Sequence, residues 1–183
     1  MNALYAALIE LGKPRQIEAR QVLLHAGDVA RRLYLIEQGC ARLYLVDAQG
    51  RETSTQFFFE GEMVSSIESF LTGRPSALNL VTIEACCLRV VEGAAIKARV
   101  MADAALQADL QALTQQRLIH YANLYTSAIA DSPTQRYLAL QTTHQQQLQR
   151  IPLHILAAYL GVSAVHLSRI RRKLKEAQSA RSV

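Results

Sequence analysis

Long apolar runs are absent from this 183-residue chain. None approaches the roughly 18 residues of a membrane span, and the opening MNALYAALIELGKPRQ lacks the basic start and long apolar stretch of a signal peptide. The chain is therefore expected in the cytoplasm, with no membrane partner. Cysteine is scarce: Cys40, Cys86 and Cys87 are an odd number, and no CxxC or Cys/His ligand spacing occurs. Cys86 and Cys87 are neighbours in a run that reads as a strand, so their side chains point to opposite faces. All three thiols are expected as reduced packing residues. His25 is the only histidine in the stretch that reads as β, without an HxH or HxxxE pairing, and neither GxSxG nor a glycine-rich phosphate loop is present. These absences leave no catalytic residue and no metal site to nominate, so the expectation is a protein that is not an enzyme.

What is present begins with apolar content. Half of the residues are hydrophobic and 19% are charged, which excludes a disordered chain and gives room for one ordinary domain plus a small one. Charge is unevenly placed. Residues 1–149 hold thirteen basic against fourteen acidic side chains, whereas residues 150–183 hold seven against one. So local a basic excess points to an anionic partner, with nucleic acid the first candidate.

Residues from about 20 to 91 read as β. The runs QVLLHAGD, RRLYLIEQG, CARLYLVDAQG, TSTQFFFEG, ALNLVTIEA and CCLRVVEG are punctuated by Gly27, Gly39, Gly50, Gly61 and Gly73, a spacing that suits hairpins of an antiparallel barrel or sandwich. In AQGRE the turn is expected at Gln49 and Gly50, because glycine accepts positive φ without penalty.

From about residue 93 the signal changes to helix. Asp103 to Ile129 has no Gly or Pro and carries Leu106, Leu110, Leu113, Arg117, His120 and Leu124 at alternating four and three spacing, with Leu118, Tyr121, Tyr125 and Ile129 on a second face. One face can lie on the barrel and the other on a second copy of the helix. The expectation is a homodimer, with Leu106, Leu110, Leu113, Arg117, His120 and Leu124 assigned to its interface; the alternative is a helix that packs both faces within one chain. Ser132 is placed as N-cap and Pro133 as the first residue of the next helix, which runs to about Gln146. HQQQLQR reads as a polar connector, and Pro152 opens another helix. The resulting divisions are 1–102, 103–130 and 131–183.

The end of the chain, AAYLGVSAVHLSRIRRKLK, packs five cations into seven residues: Arg169, Arg171, Arg172, Lys173 and Lys175. A twenty-residue helix-turn-helix window from Leu153 places Leu156, Leu160, Val162, Leu167 and Ile170 at its apolar positions. The same window puts Ala157 at the close helix approach and Gly161 at the turn. On a helical wheel Leu167, Ile170 and Leu174 share one side. Val165, Arg169 and Arg172 share the other, flanked by Ser168, Lys173 and His166. A cationic face of that kind can enter the major groove of duplex DNA. Ser163 is expected as N-cap with a phosphate near it, and Ala164 and Val165 against thymine methyls. Arg169 is assigned to guanine, Arg171, Arg172 and Lys173 to phosphates, and His166 to a phosphate or to solvent.

The order of β-barrel, long helix and terminal helix-turn-helix resembles the Crp/Fnr superfamily of bacterial transcription regulators. The residues that carry the resemblance are LLHAGDVARRLYLIEQGCARLYLVDAQGRE, FFFEGEMVSSIESFLTGRPSALNLVTIEA, SPTQRYLAL and IPLHILAAYLGVSAVHLSRIRRKL. It implies an α+β architecture: an antiparallel jelly-roll barrel (double-stranded β-helix) of cyclic-nucleotide-binding type, a long dimerisation helix, and a C-terminal helix-turn-helix. It further implies a dimer that binds double-stranded DNA at two half-sites, with RNA polymerase as a further partner. The effector pocket it implies draws on Met63, Val64, Ser65, Ser66, Arg74, Ser76 and Ala77 of the barrel and on Arg117 and His120 of the long helix.

The sequence departs from that family in two places. Ser66 stands where cyclic-AMP-binding members carry a glutamate for the ribose, and Ser76 where they carry an arginine for the phosphate. A cyclic phosphate buried without a cation loses a charge-assisted pair worth about 1.5 to 3 kcal/mol, so cyclic AMP is not the expected effector. Arg74 reaches the phosphate only if the loop shifts. After Leu174 only KEAQSARSV remains, so the wing of the winged members is expected to be reduced or absent, with phosphate contacts left to Arg171 to Lys175, the tail and the first helix. The competing readings are a metal enzyme of cupin type, which needs ligands this barrel lacks, and a ligand sensor that acts through protein partners.

Overall fold

A computed structural model describes residues 3–179 of the chain. It divides into two compact units, residues 1–45 with 56–123, and residues 46–55 with 124–183, so the boundary falls inside the long helix and not at either of its ends.

Among the described residues eight strands form two antiparallel sheets: β1 (Lys13–Ile17), β2 (Val22–Leu24), β3 (Arg32–Gln38), β4 (Ala41–Val46), β5 (Glu52–Phe58), β6 (Met63–Val64), β7 (Asn79–Thr82) and β8 (Cys86–Glu92). One sheet has the order β1-β8-β3-β6 and the other β2-β7-β4-β5. Their inward residues, Tyr34, Ile36, Leu43, Phe58, Val64, Leu80 and Leu88 with Cys86, make the barrel core. Cys87, one residue along β8, is half-buried on the opposite side. Each apolar run punctuated by glycine contributes a strand, and at the β4–β5 turn Gly50 adopts φ 78° while the Asp47 amide donates to the Arg51 carbonyl at 3.0 Å. The Asp47 carboxylate accepts from the amides of Gln49 and Arg51. The Arg51 amide, with its guanidinium, holds the Asp47 carboxyl below its ordinary pKa.

The β region starts earlier than its sequence suggests. KPRQI is almost wholly exposed and shows no apolar alternation, yet β1 pairs with β8 from Lys13 opposite Val90 to Ile17 opposite Cys86. Before it lies a helix the patterning did not announce, α1 (Ala3–Leu11). It joins α2 (Ile67–Thr72), α3 (Gly93–Ala102) and the start of α4 (Ala104–Ala130) in a second core of Leu4, Leu8, Phe70, Val91, Ile96 and Leu106. Asp103 caps α4 by accepting from the amides of Ala105 and Leu106, and Asp109 accepts from the Leu4 amide at 3.0 Å.

This second core corrects the assignment of the α4 faces. Leu106 is buried in it, and Leu110 and Leu113 pack against it. Arg117 follows on the same side, with 14% of its side chain exposed. Leu106 is thus buried, and Leu110, Leu113 and Arg117 are half-buried against their own chain. His120 is exposed and Leu124 half-buried. The exposed apolar stripe is the other face: Leu118 at 69%, Tyr125 at 71% and Ile129 at 69%, with Ile119 and Tyr121 beside them.

The second unit is helical after α4: α5 (Pro133–His144), a 3₁₀ turn at Gln147–Gln149, α6 (Leu153–Tyr159) and α7 (Ala164–Ser179). Ser132 and Gln135 form a capping box with Pro133 as the first helical residue. The connector is less passive than its polar composition suggests, because Leu148 is buried and anchors it. Among the described residues no single helix is long and apolar enough to cross a membrane.

Candidate functional site

The underside of the terminal helix pair is aliphatic. Leu156, Leu160 and Leu167 are fully buried, Ala157 and Ile170 nearly so, and Val162 and Leu174 are half-buried. Gly161 turns the chain with φ 69°, a left-handed conformation that costs other residues about 1–2 kcal/mol. The axis bends by 94° between α6 and α7. Ser163 caps α7, its hydroxyl accepting from the His166 amide at 3.1 Å.

The outer side of α7 is polar and open. Val165, His166, Ser168, Arg169, Arg172 and Lys173 are all exposed, and Ala164 is half-buried. Arg169, Arg172 and Lys173 line a concave surface together with Thr134, Ser163 and His166. Arg172 has an ion-pair contact with Glu176 at 3.8 Å, with 72% of the Arg172 side chain exposed, a pairing worth well under about 1 kcal/mol and easily given up. Residues 180–183, the end of the expected tail, lie outside the described residues.

Arg171 does not join this face. It is half-buried, its Nε donates to the Tyr137 hydroxyl at 2.9 Å, and its guanidinium lies 5.6 Å from the centre of that ring. The sequence reading gave it a phosphate; the structure ties it to α5 instead. Arg136 has a related task, donating from Nη2 to the Leu160 carbonyl at the end of α6 at 2.8 Å. Neither Arg136 nor Tyr137 was singled out, although both lie in SPTQRYLAL. Burial beside Arg136 also raises the Tyr159 phenol above its ordinary pKa, with the cation partly opposing that shift.

Of the residues expected to converge on an effector, Met63, Ser65 and Arg117 line one hollow beside β6, and the others are not among its lining residues. Val64 is in the barrel core, while Arg74 and Ala77 are exposed. Ser66 and Ser76 are buried and bonded to each other at 2.8 Å. The Ser76 hydroxyl also contacts the Leu78 carbonyl at 2.8 Å and accepts from the Leu78 amide at 3.0 Å. Ser65 donates to the Arg32 carbonyl, and Ser69 accepts from the Ala30 amide and donates to the Arg74 carbonyl. These hydroxyls are already bonded, within the loop for Ser66 and Ser76 and to the Ala30–Arg32 stretch for Ser65 and Ser69. Arg74 is exposed, and none of these hydrogen bonds brings a cationic side chain to the serines. His120, the last of the set, is exposed with its ring 5.8 Å from that of Tyr121.

Residues 14–103 match the cyclic nucleotide-binding domain family. Solved structures extend the likeness to almost the entire chain. FixK2 from Bradyrhizobium japonicum is 16% identical over 91% of this chain and 86% of its own, with a TM-score of 0.83. A transcriptional regulator from Eubacterium rectale described as of the crp/fnr family is 14% identical over 96% of this chain and 84% of its own, at 0.73. The chain has the Crp/Fnr fold. The c-di-GMP-responsive global regulator CLP from Xanthomonas campestris shares it as well, with 17% identity over 94% of this chain and 91% of its own and a TM-score of 0.69. At these identities the likeness is one of fold. No curated protein matches the chain by sequence.

Proposed function

We propose that the chain is a sequence-specific, DNA-binding transcription regulator of Crp/Fnr type that works as a dimer and does not respond to cyclic AMP. One observation carries this reading: α7 turns Arg169, Arg172 and Lys173 outward over a buried aliphatic base. Cations held rigidly in that way neutralise phosphates and read base edges without an ordering cost for the helix itself. The relatives in fold include regulators by name, which fits the same conclusion. Arg169 reads guanine. Arg172 and Lys173, with the Ser163 end of the helix, hold the backbone.

Dimerisation rests on the exposed stripe from Leu118 to Ile129 on α4. Four large apolar side chains on one helix face, Leu118, Tyr121, Tyr125 and Ile129, suit a second copy of the same helix. Two copies place two reading helices on DNA about 34–36 Å apart, so the operator is expected to be two-fold symmetric. RNA polymerase is the further partner this role implies. Selection of bound duplexes from a random library tests the reading directly. A symmetric motif with two half-sites is the expected result. Recovery of no motif, with binding to protein partners in place of DNA, would replace it by the sensor reading.

A further inference from the structure

An apolar hollow of the first unit lies apart from the Ser66–Ser76 pair. It lies among α1, α2, α3 and α4 beside β6, with a volume of about 270 Å³. Its walls are side chains such as Leu33, Met63, Phe70, Ile96, Leu110 and Leu113. The hydroxyls in the wall are committed elsewhere, Ser65 to the Arg32 carbonyl at 2.9 Å and Thr114 to the Leu110 carbonyl at 2.8 Å. Two cations complete the lining, Lys97 and Arg117, and no carboxylate is among the lining residues.

Both cations keep donors in reserve. Lys97 Nζ donates once, to the Phe70 carbonyl at 2.5 Å, and lies 4.6 Å from the centre of the Phe70 ring; an ammonium has three N–H groups. Arg117 donates from Nη2 to the Met63 carbonyl at 3.3 Å, with the Glu62 carboxylate 4.0 Å away. Glu62 lies beside Arg117, and none of the lining residues is acidic, so Lys97 is the cation placed to meet an anionic group. Lys97 is exposed, so the charged end of a ligand there keeps contact with water while its body enters the apolar part.

We propose that this hollow binds an amphipathic monoanion, a carboxylate on an apolar body, with Lys97 taking the carboxylate. At about 30 Å³ for a water-sized group, the volume holds roughly nine carbon centres, which is the apolar body of a ten-carbon acid whose carboxylate stays at the water-facing rim beside Lys97, or of a compact aryl acid. A sugar phosphate does not suit aliphatic walls, because its hydroxyls would lose their hydrogen bonds to water. The ligand would rest on the Leu110, Leu113 and Arg117 side of α4, a face that neighbours the stripe assigned to a second copy. That regulatory consequence depends on the proposed function, whereas the binding itself does not.

Calorimetric titration of decanoate and decanol into the full chain, without DNA, tests the site. Saturable binding of one decanoate per chain is expected, with decanol weaker. Lys97→Gln is expected to lower decanoate affinity about fivefold, a modest factor because the lysine is exposed, and to leave decanol unchanged. Leu113→Trp, which fills the hollow, should abolish binding of both. Should that variant fail to fold in a circular dichroism melt, Val100→Phe serves the same purpose. Decanoate binding that never saturates, that survives the filled hollow, or that keeps its preference over decanol in Lys97→Gln overturns the proposal. A gel shift on the same preparation reports separately on DNA binding, so either reading can fail alone.

Discussion

Ser66 and Ser76 in the barrel loop are buried and bonded to one another, whereas Arg169, Arg172 and Lys173 on α7 stand in water above fully buried leucines. Both places are rich in polar side chains, and both sit where the Crp/Fnr resemblance puts a ligand. The difference is in what those side chains have already spent. A buried hydroxyl that has found its partner stabilises the loop and leaves little for an incoming group. An exposed guanidinium over a rigid base has lost almost nothing and keeps its donors. Arg171 shows the same rule inside one helix, since its bond to Tyr137 removes it from the exposed cationic face that its neighbours keep.

The sharpest way to break this contrast is from below. Leu167→Ala removes a side chain with no exposed area and is expected to cost about 2–5 kcal/mol, read as a lower midpoint in urea together with loss of DNA binding. A change under about 1 kcal/mol would mean that α7 is not held by its aliphatic side. Next comes the reading face. Arg169→Ala should cost about 1–3 kcal/mol on the preferred duplex and relax one base position. Arg172→Ala should instead weaken all duplexes alike and reduce the salt slope by about one. Titrations at several salt concentrations separate the two.

In the barrel, Ser76→Ala deprives the Ser66 hydroxyl and the Leu78 amide of their shared partner. It is expected to lower stability by about 1–3 kcal/mol with DNA affinity unchanged, as thermal melts and gel shifts would show. On α4, Ile129→Asp places a charge in the exposed stripe; sedimentation should show monomers without a lower melting midpoint, whereas Leu113→Asp on the inner face should unfold the first unit. The smallest effect expected is none: millimolar cyclic AMP leaves both the melting midpoint and the DNA affinity where they were.

Much of this was legible in the residues. Glycine spacing announced six strands, Ser132 and Pro133 a helix start, and the joint demands at Leu156, Ala157, Leu160, Gly161, Leu167 and Ile170 the helix-turn-helix. β1 was not legible, because KPRQI has no apolar alternation and forms only by pairing with β8. The inner and outer faces of α4 were visible as two stripes, but nothing in a single helix says which stripe its own chain will cover. The assignment went to the regular leucine seam, and α1, α2 and α3 proved to be what covers it. The hollow with Lys97 was touched only through Met63, Ser65 and Arg117, since the rest of its lining comes from stretches separated by up to about a hundred residues.

Local chemistry, then, determined the elements: where backbone turns, where helices are capped, and which residues of α7 fall on one side of it. Those depend on neighbours within a turn or two, and sequence spacing is enough to read them. Only tertiary structure decided which polar groups were already satisfied and which apolar face was already covered, as it did for Ser76, Arg171 and Leu106. Such partners are distant in the chain, and burial and hydrogen bonding are properties of the assembled neighbours, not of the residue alone.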